Sequence, residues 1–184
     1  MYKRQVQNTL AVLATVKLAG ADLKAGAEAL GAIRAPAGRG ERFVIATEQG
    51  PICVVDESYN ANPASMRAAL ATLGLTPRNE FKRRIAVLGD MLELGEESPR
   101  LHRELAEAVD AAGIDVVFAS GTEMASLFEA LPTKCRGAYA ETSEELSPVL
   151  LSSVQPGDIV MVKGSLGSRM APLVHGLTRE FENR

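Results

Sequence analysis

The residues from Asp56 to Pro63, DESYNANP, follow directly on the apolar run Pro51–Val55. They place two carboxylates, a hydroxyl, a phenol and two carboxamides within eight positions. A carboxylate can accept two hydroxyls at once, and carboxamides both donate and accept. Asn and Ser also serve routinely in caps and turns, but a helix cap needs only one such residue. Three other apolar runs end the same way. Ile85–Leu88 runs into GDMLELGEES, Val116–Ala119 into SGTE, and Ile159–Val162 into KGSLGS. Lys163 stands directly after a buried run, where it is placed to meet an anion. Asp90 and Glu93 could contact an ammonium, although a solvated acid is the default for such positions. KGSLGS is not a phosphate loop, because the order G-x-x-x-x-G-K-[ST] is absent. His102 and His175 read as packing or surface histidines. No Ser/His/Asp or Cys/His set can be assembled, which leaves nucleophilic catalysis little support.

The segments between these polar bursts carry regular patterns. Asn8–Leu18 reads as a helix ended by Gly20, and Asp22 caps a second short helix, Leu23–Leu30, that stops at Gly31. The loop RAPAGRGERF then carries Pro36, Gly38 and Gly40 and is the best candidate boundary. Beyond it, RFVIAT and PICVV flank the turn EQG as a hairpin. Helices are expected over Pro63–Leu75, Ser98–Gly113 (Ser98 as cap, Pro99 first), Thr122–Leu131, Thr142–Val154 (limited or bent by Pro148) and Ser168–Glu182. Strands are expected at Arg83–Asp90, Asp115–Ser120, Gly137–Ala140 and Asp158–Ser165. Strand and helix alternate, and the strands are apolar throughout, as they are when both faces of a parallel sheet are covered. The expected fold is α/β: a doubly wound sheet with at least four parallel strands and a leading antiparallel pair. In such sheets ligands bind beyond the carboxyl ends of the strands. All four polar bursts therefore belong to one edge.

Length and composition allow this. The 184 residues suit one domain, or one domain plus a fragment, and 46% hydrophobic residues can fill a normal core. There is no Trp, so Ala, Val, Leu and Ile must build it. Twenty basic and 23 acidic residues give a formal charge of -3, which argues against a nucleic-acid partner held by bulk charge. The cluster FKRR (Phe81–Arg84) reads as a solvated strand entry. Cys53 and Cys135 lie far apart and fit a reducing cytoplasm; a structural zinc site is not indicated. No run spans a bilayer. The N-terminal stretch has the basic start of a signal peptide, but Lys17 interrupts its apolar part.

DESYNANPASMRAAL, IAVLGDMLELGEES and VMVKGSLGSRM, with the earlier NTLAVLA and PAGRGERF in the same order, resemble segments of the Mur ligases. The likeness is greatest to the type that adds D-alanyl-D-alanine to UDP-N-acetylmuramoyl-tripeptide. It covers nearly the whole chain. The resemblance implies a Rossmann-like C-terminal domain over residues 40–184, preceded over 1–39 by the end of a central ATP-binding domain. The P-loop, the magnesium ligands and the UDP-sugar domain would lie outside this chain, which alone would not turn over. ATP and magnesium would serve the full-length cytoplasmic enzyme in peptidoglycan precursor synthesis. Its partners would be the UDP-sugar tripeptide and D-alanyl-D-alanine, with no nucleic acid or membrane.

By the same resemblance, Asn8 matches an adenine-contacting Asn. Arg39 matches a hinge arginine whose planar fork reaches the nucleotide phosphates. The ribose acid is Glu57, with Asp56 as the alternative, since consecutive strand residues face opposite ways. Tyr59, Asn60 and Asn62 match the signature loop near nucleotide and dipeptide. Lys163, Gly164 and Ser165 match the loop beside the dipeptide, Gly164 admitting close backbone approach. One departure is Arg4, where the family usually has His. The connector Arg34–Gly40 is expected to be mobile, as a hinge. The competing reading is a stand-alone Rossmann-like module that binds a nucleotide or amino acid without chemistry. A Rossmann oxidoreductase is disfavoured, because no strand is followed by G-x-G-x-x-G.

Overall fold

The computed structural model describes residues 2–32 and 37–182, with side chains from Val6 onward. The side chain of Arg4 and residues Arg34–Pro36, on which two expectations fell, lie outside the described residues. The chain divides into two compact units, Met1–Ala35 and Pro36–Arg184.

The first unit is a helical pair, α1 (Tyr2–Leu18) and α2 (Leu23–Gly31). α1 starts six residues before the expected Asn8, because the residues from Tyr2 to Gln7 include good helix formers and no breaker. Gly20 turns the chain at φ 73°. Asp22 then accepts the Lys24 and Ala25 N–H groups, as a capping carboxylate should. From Val6 to Ala32 no residue is buried, and Val6, Leu10 and Val12 stand exposed.

In the second unit, β1 (Glu41–Thr47) and β2 (Gly50–Glu57) form the expected antiparallel hairpin. Next come α3 (Pro63–Gly74), β3 (Arg83–Gly89), α4 (Ser98–Arg103), α5 (Leu105–Ala111), β4 (Val116–Ser120) and α6 (Ala125–Ala130). β5 (Arg136–Ala140), α7 (Ser143–Ser153), β6 (Asp158–Lys163) and α8 (Ala171–Glu182) complete it. The sheet order is β1-β2-β6-β3-β4-β5, and every pairing after the hairpin is parallel. This is the doubly wound α/β sheet read from the sequence. One core layer packs Met66, Leu70, Leu105 and Leu127 against one face of the sheet. The other packs Leu146, Leu150, Leu173 and Leu177 against the opposite face. Cys53 and Cys135 are free, buried thiols.

Some details differ from the expectation. The helix over Ser98–Gly113 is interrupted at Glu104, which ends α4 and starts α5, and whose carbonyl also accepts a bond from Arg67 Nη1 at 3.3 Å. Ser98 lies inside α4 rather than capping it. α6 begins only at Ala125, because the buried Asp90 carboxylate takes the Met124 N–H and holds the preceding turn. The FKRR cluster is not simply solvated. Arg83 forks onto both oxygens of buried Asp158, at 2.8 and 2.6 Å. Arg84 donates to the carbonyls of Ala112 and Thr76.

Candidate functional site

The register of the central strands decides what meets at the carboxyl edge. β6 lies between β2 and β3, so Lys163 pairs with Glu57 on one side and Leu88 on the other. Along β2, Cys53 and Val55 pack on the α3 layer, whereas Ile52 and Val54 pack on the α8 layer. Alternation puts Glu57 on the α3 side and Asp56 on the α8 side. The Lys163 ammonium, only 2% exposed, lies 3.4 Å from Glu57 Oε2 and donates to the Asn60 carbonyl at 2.8 Å. Glu57, Asn60 and Lys163 thus converge. Burial pulls the Lys163 pKa below its usual value, while the Glu57 charge opposes the shift. These partners occupy two of the three ammonium hydrogens, which leaves one for a further acceptor.

The loops after β2, β3 and β6 are tied together by Ser165. Its N–H donates to the Asp90 carbonyl at 3.0 Å, and its Oγ accepts the Leu92 N–H at 3.0 Å while facing the Ala61 carbonyl at 3.5 Å. Gly164 has a structural reason to be glycine. A Cβ there would stand 2.4 Å from Ser168 Oγ and 3.1 Å from Gly89 Cα. The close approach it permits is between chain segments. Leu92 and Leu166 stand exposed on this rim. Glu93 adopts φ 64°, in the left-handed region, with its side chain exposed.

Two acids singled out for ligand contact are engaged within the protein. The Asp56 carboxylate, buried, accepts Gly38 N–H on Oδ2 and both Ser58 N–H and Ser58 Oγ–H on Oδ1. Of the two ribose candidates, Glu57 therefore keeps the freer carboxylate, with Oε1 outside the lysine contact. Asp90 is buried, and burial raises its pKa against the opposing hydrogen bonds from the Met124 and Glu123 backbone. Asn62 caps α3, exchanging bonds with Ser65 in a capping box. Asn60 turns its Oδ1 onto the Ala61 N–H and is otherwise exposed. Tyr59 is 43% exposed and carries the Arg39 guanidinium over its ring, 4.2 Å from the centroid. Gly38 and Gly40 are hydrogen-bonded to the β2 end, so the part of the expected hinge that is described is held. Asn8 is exposed on α1, in the other unit.

Of the two readings of His102, packing or surface, burial selects the first, and its position has a purpose in the rim. Buried in α4, it accepts the Met91 N–H on Nε2 at 3.0 Å and donates from Nδ1 to the Ser98 carbonyl at 2.8 Å. It anchors the loop after β3. The only sequence signal for this was a histidine four residues after Ser98 beside an otherwise apolar helix face. Among the described residues no three of His, Cys, Asp and Glu gather as a metal-holding group. A cavity of ≈ 410 Å³ opens on the other side of the sheet, lined by Phe43, Asp56, Val174 and His175.

Residues 41–166 match the family model described as Mur ligase, glutamate ligase domain. The chain belongs to the Mur ligase family. Within it, the chain is 33% identical over 176 residues to the UDP-N-acetylmuramoyl-tripeptide--D-alanyl-D-alanine ligase of Escherichia coli, covering 95% of this chain and 37% of that protein. The ligase of the same name from Rickettsia prowazekii is 30% identical over 167 residues, covering 91% of this chain and 36% of that one. The chain thus spans little more than a third of the curated relatives it matches. Among solved structures, a MurF from Acinetobacter baumannii superposes with a TM-score of 0.80 at 27% identity, covering 96% of this chain and 38% of that one. The MurF ligase of Thermotoga maritima, solved in complex with ADP, gives 0.70 at 25% identity over 94% of this chain and 37% of that one. The fold described above is thus shared with these solved ligases over nearly the whole of this chain. No helix of the described residues is long and apolar enough to cross a membrane.

Proposed function

We propose that this chain is the C-terminal part of an ATP-dependent ligase that joins D-alanyl-D-alanine to UDP-N-acetylmuramoyl-tripeptide in peptidoglycan precursor synthesis. Residues 40–184 are its C-terminal Rossmann-like domain, and residues 1–39 are the end of its central ATP-binding domain. The enzyme works in the cytoplasm. The observation that carries this reading is the convergence of Glu57, Asn60 and Lys163 at one strand edge in a chain of this family.

The residues present fit part of a nucleotide. Glu57 Oε1 can accept the two ribose hydroxyls. Arg39, exposed and stacked on one face only, can turn its fork to phosphate oxygens. Asn8, exposed on α1, can offer its carboxamide to an adenine edge. ATP supplies the phosphoryl group that turns the tripeptide carboxylate into an acyl phosphate open to attack by the dipeptide amine. Lys163 holds the wall of the crevice through Glu57 and Asn60 and keeps one N–H for a substrate carbonyl or carboxylate. Ser165 fixes the loops on either side, so the amine donor meets a rigid surface. Such transfers depend on positioning and on neutralising charge. Among the described residues no three of His, Cys, Asp and Glu gather to hold a magnesium ion, and the family resemblance assigns the metal's ligands to the domains joined to this chain.

The test is phosphate release coupled to dipeptide addition. The intact enzyme, with this chain joined to its UDP-sugar and P-loop domains, should release phosphate only when ATP, UDP-sugar tripeptide and D-alanyl-D-alanine are all present. This chain alone should release none. A submicromolar affinity of this chain for ATP would instead favour a stand-alone nucleotide-binding module.

A further inference from the structure

The Asp56 carboxylate is buried, makes no ion pair among the described residues and lies on the α8 side of the sheet, opposite to Glu57. Its bonds nevertheless lead to a candidate site residue. Oδ2 accepts Gly38 N–H at 3.0 Å, and the Asp56 carbonyl accepts Gly40 N–H at 2.7 Å. Oδ1 takes Ser58 N–H at 3.0 Å and Ser58 Oγ–H at 2.6 Å. Gly38 O in turn accepts Tyr59 N–H at 3.1 Å. Arg39 is therefore the one residue between two glycines that are both fastened to Asp56, and Tyr59 is fastened to the first of them. Gly38 must be glycine: its φ is 74°, and a Cβ would fall 2.8 Å from Tyr59 Cβ. The result is the guanidinium lying 4.2 Å above the Tyr59 ring, with its other face in solvent and no carboxylate partner among the described residues.

We propose that Asp56 is a positioning residue, a buried clip that fastens the connector Gly38–Gly40 to the end of β2 and thereby presents Arg39 on Tyr59 for capture of an anionic phosphate. The phosphate half of this inference rests on the nucleotide-binding function proposed above. The chemistry of the clip asks for a carboxylate. All three groups that face it are donors, so both oxygens must accept. An amide satisfies Ser58 or Gly38 but turns an NH2 group onto the other. Asp56→Asn therefore opens one link while keeping the size of the side chain. The stacking also gives the open connector a defined resting place, since the ring face attracts the cation without neutralising it.

Two measurements decide it. In this chain, the Arg39 Nε–Hε resonance should be shifted upfield by the Tyr59 ring, and Asp56→Asn should abolish that shift. In the intact ligase, Asp56→Asn should raise the KM for ATP about 10-fold, the scale of one lost charge-assisted hydrogen bond, and leave the KM for D-alanyl-D-alanine unchanged. In an Arg39→Ala background the same substitution should have no further effect on the KM for ATP. A ring-current shift that persists in Asp56→Asn overturns the clip. An equal effect with and without Arg39, or an unchanged KM for ATP, overturns its link to phosphate capture. If the wild-type enzyme performs no ATP-dependent ligation, the proposed function falls and takes the phosphate half with it, and the resonance of this chain alone still decides the clip.

Discussion

Lys163 carries a charge that the fold could only have buried with help. An ammonium 2% exposed needs hydrogen-bond acceptors, and it finds Glu57 across the strand pair and the Asn60 carbonyl in the next loop. Burial still dominates, so the folded pKa lies below the ordinary 10.5. The folded protein then releases this proton at a lower pH than the unfolded chain does. Stability contributed by Lys163 is complete above pH 10.5 and is lost as pH falls through the lowered folded value. Raising the pH from neutrality towards 10.5 should therefore stabilise the wild type relative to Lys163→Met, as read by the difference in their melting temperatures. A difference that stays flat over that range would mean the ammonium is not desolvated in solution. The residue scale also shows where sequence reading stopped. Alternation said that Asp56 and Glu57 face opposite ways, but nothing local said which side held the site. That depended on which strand lay beside β2, a pairing between positions 106 apart in the chain for Glu57 and Lys163.

The elements themselves were legible. Six runs became six strands and the turn EQG became the hairpin; the central parallel strands β3, β4 and β6 were plainest, because strands covered on both faces are apolar throughout. What stayed hidden were contacts between distant side chains. Arg67 reaches the Glu104 carbonyl where α4 gives way to α5, and the Asp90 carboxylate takes the Met124 N–H at the start of α6. The rim shows the same thing. Ser165 and Gly164 were expected to serve a ligand, and their observed bonds and contacts are to the chain itself, locking the loops after β2, β3 and β6. Substituting Gly164→Ala would drive a methyl into Ser168 Oγ and Met170 Cγ, 2.4 and 2.6 Å away. Overpacking of this kind costs about 1–3 kcal/mol, which urea denaturation of the variant should register. A loss below about 0.5 kcal/mol, the range of a neutral surface change, would show that the β3 and β6 ends are looser than described.

At the scale of the molecule, the chain consists of two units that differ in how much they bury. Residues 36–184 bury a core on both faces of their sheet. The helical unit before them has no buried residue from Val6 to Ala32. That contrast suits a chain spanning little more than a third of its curated relatives. Under the proposed function, the carboxyl edge would form one wall of the ligase site, with the phosphate cradle supplied by another part of the protein. The central claim is that the carboxyl edge holding Glu57, Asn60 and Lys163 is that wall. The most direct measurement is the KM for ATP of the intact ligase carrying Glu57→Gln, a partly exposed, isosteric change that leaves an acceptor for Lys163. Glu57→Gln should raise that KM about 10-fold, as expected when hydroxyls lose a charged acceptor. A KM for ATP equal to that of the wild type would remove the nucleotide from this edge.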